Sequence, residues 1–121
     1  MDTQATVLIV DDDADLLQTY ELILSAAGYR VLTAPDSIEA EAMAAAEKPD
    51  LILMDVVMEE VDAGLVFAER FATVYPIILL SSIADSSVKV FDIDQLPVKA
   101  ILQKPIEPDA LRQAVCAAIK A

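Results

Sequence analysis

The chain has 121 residues, 56% of them hydrophobic, which is enough apolar content for one domain of ordinary size. Twenty-one acidic and eight basic residues with no histidine give a net charge of −13, which argues against binding to nucleic acid or to an anionic membrane. The single cysteine excludes a disulfide within the chain. We expect a cytoplasmic protein of one domain over residues 1–121, without a signal peptide or a membrane span.

Apolar runs bounded by turn-forming residues predict five strands, in chain order 6–10, 29–33, 51–54, 77–80 and 99–103. Helical spacing predicts a helix from Leu16 to Gly28, a second from Asp36 or Ser37 through Ala45, a third from Gly64 through Phe71, and a last one that carries Leu111, Val115 and Ala118 on one face. Residues 83–98 are the least regular part of the chain, and a further helix is predicted within them. Five strand–helix units with uniformly apolar strands predict an α/β fold, a doubly wound five-stranded parallel sheet with helices on both faces.

Charged and hydroxyl side chains follow four of the predicted strands directly. Asp11 and Asp12 follow the first strand, Asp55 the third, Ser81 the fourth and Lys104 the fifth. Right-handed crossovers place the carboxyl ends of all these strands at one edge of the sheet. Clustered carboxylates repel by about 4 kcal/mol per pair at a separation of about 4 Å and an effective dielectric constant of about 20. A cation is therefore expected among them, and Mg²⁺ suits carboxylate ligands.

With this arrangement the chain resembles the response regulator receiver domain of two-component signalling over essentially its whole length. The resemblance rests on Val-Asp-Asp at 10–12, Met-Asp at 54–55, Pro76 followed five residues later by Ser81, and Lys104-Pro105. It implies a flavodoxin-like (βα)5 fold with strand order 2-1-3-4-5. We expect a single receiver domain over residues 1–121, with no output domain.

The resemblance assigns the phosphoacceptor and its metal site. Asp55 would take a phosphoryl group from a histidine kinase or a phosphotransfer protein and form an acyl phosphate. Mg²⁺ would be held by Asp12, by one oxygen of Asp55 and by the backbone carbonyl of Val57, with Asp11 acting through water. The protein would then be a phosphoacceptor and not an enzyme, apart from self-phosphorylation by small donors and self-dephosphorylation.

Three further residues have implied roles around the phosphoryl group. The Lys104 ammonium and the Ser81 hydroxyl would contact phosphoryl oxygens, and Pro105 would favour a cis peptide that directs Lys104 into the site. Signalling would pass through protein contacts, with a downstream target protein or with a second copy of the chain in a homodimer.

The chain also departs from the family pattern. Glu59 stands where a proline is common, and Glu60 adds a further carboxylate beside the site. Ile101 stands where a switching aromatic residue is expected, and a β-branched side chain is stiff at χ1. We therefore expect the irregular segment 83–98 to reorder on phosphorylation.

Two other functions compete with this interpretation. Asp11 and Asp13 have the Asp-x-Asp spacing of an aspartyl-phosphate phosphatase of the haloacid dehalogenase type, although Asp13 is also expected to be a helix cap. A receiver-like interaction module that is not phosphorylated is the third possibility. Phosphate on Asp11 would favour the phosphatase, and absence of Mg²⁺ binding would favour the interaction module.

Overall fold

The sheet has five strands, which are β1 Thr6–Val10, β2 Arg30–Ala34, β3 Leu51–Asp55, β4 Ile77–Ser82 and β5 Ala100–Lys104. The computed structural model describes residues 4–55, 70–71, 73–82, 98–104 and 106–120, but not the side chains of Ser81, Ser82, Lys104 and Lys120. The strands pair in parallel in the order β2-β1-β3-β4-β5. The predicted fold class and strand order are confirmed.

Helices cover both faces of this sheet. The described helices are α1 Ala14–Ala26, α2 Ser37–Glu47 and α3 Pro108–Lys120. Along β1 the side chains alternate between the two faces, and β1 and β3 are buried throughout, as in a covered parallel sheet. On one face α1 and α3 contribute Tyr20, Leu24, Leu111, Val115 and Ala118 to the core, and on the other face α2 contributes Ala40 and Ala44. The predicted apolar face of the last helix is therefore confirmed.

The ends of α1 and α2 are set by identifiable residues. The Asp13 carboxylate caps α1, and the Asp36 carboxylate caps α2 by accepting the Glu39 N–H at 2.8 Å. After α1 the chain turns at Gly28, which has a φ of +100°. α2 ends at Lys48, whose φ of 48° lies in the left-handed region that favours glycine.

β1 has the predicted bounds, whereas the ends of the other four strands differ from the predicted ones by one or two residues. β2 begins one residue later because the Tyr29 N–H donates to the Leu24 carbonyl at 3.1 Å and closes the end of α1. Asp55, predicted to follow a strand, is the last residue of β3. β4 and β5 likewise continue to Ser82 and Lys104, which are still paired in register. Strands are defined by backbone pairing, and pairing here extends past the last apolar residue.

The third predicted helix and two loops fall largely outside the described residues. Arg70 and Phe71 are helical, and Phe71 packs against the core on the α2 side of the sheet. The rest of that helix, most of the polar loop 55–63 and residues 83–97 lie outside the description. Within the described ranges, no helix combines the length and apolar content that crossing a membrane requires.

A tyrosine–cysteine contact connects the start of β2 with α3. Tyr29 is hydrogen bonded to the thiol of Cys116, which is half-buried on α3. Burial raises the pKa of Tyr29, and the neighbouring thiol with its hydrogen bond raises it further. The lone cysteine thus belongs to the packing between the sheet and the last helix.

Replacement of Lys48 tests the left-handed end of α2. Lys48→Gly is expected to raise the free energy of unfolding by about 0.5–1 kcal/mol relative to Lys48→Ala, because glycine has no Cβ to strain at positive φ. Both variants lose the same ammonium group, so the charge cancels in the comparison. Urea denaturation of the two variants measures the difference, and an alanine variant as stable as the glycine variant would contradict the assignment.

Candidate functional site

Three carboxylates meet at the carboxyl edge of the sheet. β1 and β3 are neighbours with Val10 opposite Met54, so the residues that follow, Asp11 and Asp55, lie side by side. One oxygen from each of Asp11, Asp12 and Asp55 lies within 4.8 Å of the others. Asp11 is 1% exposed and Asp55 is 6% exposed, whereas Asp12 is open to solvent. The structure therefore brings together the three acids that the sequence pattern predicted to converge.

The Asp11 carboxylate is held by the turn that follows β1. The backbone N–H of Asp11 donates to the Ala34 carbonyl at 3.2 Å, which extends the pairing of β1 with β2 by one residue. One of its carboxylate oxygens, Oδ1, accepts the Asp13 N–H at 2.9 Å. The Asp13 carboxylate belongs to the helix instead, because it accepts the N–H groups of Asp15 and Leu16. Of three successive acids, two therefore join the cluster and the third caps α1.

The donor set of this cluster fits a hard divalent cation. All three candidate ligands are carboxylate oxygens, and the chain has no histidine. Mg²⁺ binds oxygen at 2.0–2.1 Å, which limits two ligands of the same ion to a separation of about 4.2 Å. Oxygens within 4.8 Å of one another suit direct ligation by the nearer ones and ligation through water by the rest. An all-oxygen set favours Mg²⁺, Ca²⁺ or Mn²⁺ over softer metals.

The other predicted site residues lie at the same edge as far as their backbone is described. Asp55 is paired with Leu80, so Ser81 is the next residue beyond it on the neighbouring strand. Lys104 ends β5 and is paired with Ser82. The side chains of Ser81 and Lys104 lie outside the description. So do Val57, Pro105, Glu59 and Glu60, and their implied roles stay predictions.

The chain matches the family described as response regulator receiver domain over residues 7–116. The chain belongs to this family. Its fold and its acidic cluster at the carboxyl edge are those of the receiver domain of a two-component response regulator. The alternative assignment to a haloacid dehalogenase phosphatase is therefore wrong at the level of family.

Relatives of this receiver domain include whole transcriptional regulators. The transcriptional regulatory protein GlrR of Escherichia coli K12 is 37% identical over 116 residues, which cover 92% of this chain and 25% of the relative. The alkaline phosphatase synthesis transcriptional regulatory protein PhoP of Bacillus subtilis 168 is 30% identical over 117 residues, which cover 94% of this chain and 48% of the relative. The receiver domain thus spans between a quarter and a half of these curated relatives.

Solved structures of similar length share the fold. The chemotaxis response regulator CheY4 of Vibrio cholerae aligns with a TM-score of 0.82 at 30% identity, covering 96% of this chain and 99% of that one. A CheY-like receiver domain protein of Methanospirillum hungatei aligns with a TM-score of 0.86 at 25% identity, covering 98% and 95%. The receiver domain therefore aligns over nearly its whole length with proteins of about its own size.

The position of the usual switching aromatic residue is partly buried in this receiver domain. Ile101 packs against the core on the α2 side of the sheet. That Ile101 does not act as a rotating switch stays a prediction. The segment 83–98, expected to reorder instead, is described only at Val98, so its reordering stays a prediction.

Removal of Asp12 tests whether the cluster is a site of charge repulsion. Asp12→Ala is expected to abolish Mg²⁺ binding and to leave the melting temperature without metal unchanged or higher, because one of three converging carboxylates is gone. Asp15→Ala is the matched control. Asp15 is an exposed acid in the first turn of α1, where a negative charge favours the helix, so its loss should lower stability slightly and leave Mg²⁺ binding in place.

Thermal unfolding in a chelator and calorimetric titration with MgCl₂ measure the two quantities for each variant. A clear fall in the metal-free melting temperature of Asp12→Ala would instead make Asp12 a structural residue.

Proposed function

We propose that this receiver domain takes a phosphoryl group from a phosphohistidine onto Asp55 in a Mg²⁺-dependent reaction and signals through protein contacts. The observation that supports this most directly is the convergence of Asp55 with Asp11 and Asp12 at the carboxyl edge of the sheet. An isolated carboxylate at a strand end would serve as a cap or a solvated charge. Three that share one site indicate a cation and an anionic reaction partner.

In the proposed step, a carboxylate oxygen of Asp55 forms a bond to phosphorus as the bond between phosphorus and the imidazole nitrogen of the donor breaks. The imidazole nitrogen keeps the electron pair of the broken bond, and the product on Asp55 is an acyl phosphate. Bound Mg²⁺ supplies neutralisation of charge on the phosphoryl oxygens. Asp11 and Asp12 would hold the ion on one side of Asp55, and the backbone carbonyl of Val57 would complete the protein ligands.

Two further residues would balance the charge on the phosphoryl group. The Lys104 ammonium would contact one phosphoryl oxygen and the Ser81 hydroxyl would donate to another, as the family resemblance implies. Ser81 lies near the end of β4, which is paired with the strand of Asp55, and Lys104 ends β5, which is paired with β4. These backbone positions support the two roles. Pro105 would direct Lys104 through a cis peptide.

The arrangement of Asp13 also weighs against phosphatase chemistry on Asp11. An Asp-x-Asp mechanism needs the second acid free to protonate a leaving group near the first. Here the Asp13 carboxylate accepts two N–H groups of α1, and Asp12 and Asp55 accompany Asp11 in the cluster. The same cluster argues against an interaction module that is never phosphorylated. Converging carboxylates are costly, and such a module would gain nothing from them.

The proposed function involves two kinds of protein partner. A histidine kinase or a phosphotransfer protein is the proposed donor, and a downstream protein or a second copy of the chain is the proposed receiver of the signal. We propose a cytoplasmic location, because a histidine kinase needs ATP and the cytoplasm supplies it. Catalysis by the domain itself would be limited to self-phosphorylation and self-dephosphorylation. At a net charge of −13 the receiver domain itself is proposed not to bind nucleic acid or membrane, and transcriptional regulation is named for whole relatives.

Labelling with a small phosphodonor tests the phosphoacceptor. Incubation with acetyl phosphate and Mg²⁺ is expected to add one phosphoryl group, located by peptide mass spectrometry on Asp55, and a chelator should prevent the reaction. Asp55→Asn should remove the label, whereas Asp15→Asn, a change of an exposed acid outside the cluster, should retain it. Labelling that persists in Asp55→Asn, or that maps to Asp11, would refute the proposed chemistry.

A further inference from the structure

A continuous set of hydrogen bonds connects the first turn of α1 with the acidic cluster. Asp13 Oδ1 accepts the N–H groups of Asp15 at 2.9 Å and Leu16 at 3.3 Å. The Asp13 carbonyl accepts the Leu17 N–H at 3.0 Å, the first backbone bond of the helix. The Asp13 N–H in turn donates to Asp11 Oδ1 at 2.9 Å. Asp13 therefore bonds to the helix with its side chain and carbonyl and to the cluster with its amide.

The direction of the Asp11 carboxylate depends on where this amide lies. Asp11 is almost fully buried, and a hydrogen bond to one carboxylate oxygen limits rotation of the whole group. Its ligand oxygen lies within 4.8 Å of the oxygens of Asp12 and Asp55. The amide has its position because Asp13 is held in an extended conformation, φ −91° and ψ 107°, as the cap of α1. Loss of the cap would release that conformation and, with it, the donor to Asp11.

We propose that Asp13 is a positioning residue for the metal site, and that it acts by capping α1 rather than through its negative charge. This inference rests on the proposed binding of Mg²⁺ by the cluster. The Asp13 carboxylate lies outside the three-carboxylate group and is bonded to α1. Residue 13 contributes a side-chain oxygen that accepts the N–H groups of the first helical turn. Serine and asparagine supply such an oxygen equally well.

Three substitutions at this position separate the cap from the charge. Asp13→Asn and Asp13→Ser remove the charge and keep a capping oxygen, while Asp13→Ala removes both. The three variants have lost the same charge, so any difference in Mg²⁺ affinity among them comes from the cap. The Asp13 amide itself is present in all of them.

Asp36→Ala is the control for a general loss of helix capping. Asp36 caps α2 through the Glu39 N–H, and its described hydrogen bonds all lie within α2. This variant should lose stability much as Asp13→Ala does, with no change in Mg²⁺ affinity. If the loss of Mg²⁺ affinity came only from lower stability of the fold, Asp13→Ala and Asp36→Ala would lose the same amount.

Titration with MgCl₂, followed by amide chemical shifts and by calorimetry, measures the affinity of the wild type and the four variants. Asp13→Ala is expected to bind Mg²⁺ about tenfold more weakly than Asp13→Asn and Asp13→Ser, the effect usual for loss of a group that orients a metal ligand. The two capping variants should agree within about twofold, and Asp36→Ala should match the wild type.

Equal affinities for the three Asp13 variants, or an equal loss in Asp36→Ala, would overturn the positioning role and leave the proposed function standing. Absence of saturable Mg²⁺ binding in the wild type would overturn the metal site and the positioning role together.

Discussion

The forced proximity of like charges at one edge of the sheet is the constraint on which the rest of this structure depends. β1 and β3 are adjacent and parallel, with Val10 opposite Met54, so Asp11 and Asp55 emerge together and Asp12 joins them. Two of the three side chains are removed almost completely from water, where an uncompensated charge is costly. Such an arrangement is stable only if a cation or hydrogen-bond donors balance it. In the proposed function, a cation that relieves this repulsion would also prepare Asp55 to meet an anionic phosphoryl group.

The apolar sheet keeps these charges in place. Every residue of β1 and of β3 is buried, and helices pack on both faces, so the strand ends cannot move apart without opening the core. Groups mounted on rigid strands are placed more accurately than groups on loops, which matters where carboxylate oxygens must be held within one coordination sphere. The turn after β1 is held by hydrogen bonds. There the cap of α1 fixes the Asp13 amide, and the amide fixes the direction of Asp11.

The sequence predicted the sheet, its burial and the convergence of the acids, because these follow from apolar runs and from the handedness of crossovers. The strand order came from the family resemblance, since runs of similar composition do not specify their neighbours. The predicted strands stop short of Ser82 and Lys104, where backbone pairing continues beyond the apolar residues. Asp13 could be predicted as a cap from its residue type and position. Its amide bond to Asp11 could not, because that contact depends on backbone angles of a turn that no local pattern encodes.

Asp55 is proposed to accept the phosphoryl group while Asp11 and Asp12 hold Mg²⁺ beside it. An experimental structure of the protein with Mg²⁺ and beryllofluoride, a mimic of the bound phosphoryl group, tests this most directly. The account predicts beryllium bonded to a carboxylate oxygen of Asp55 and a Mg²⁺ ion held by Asp12 and Asp55, with Asp11 bound directly or through water. Beryllofluoride on Asp11, or Mg²⁺ bound away from this edge of the sheet, would contradict it.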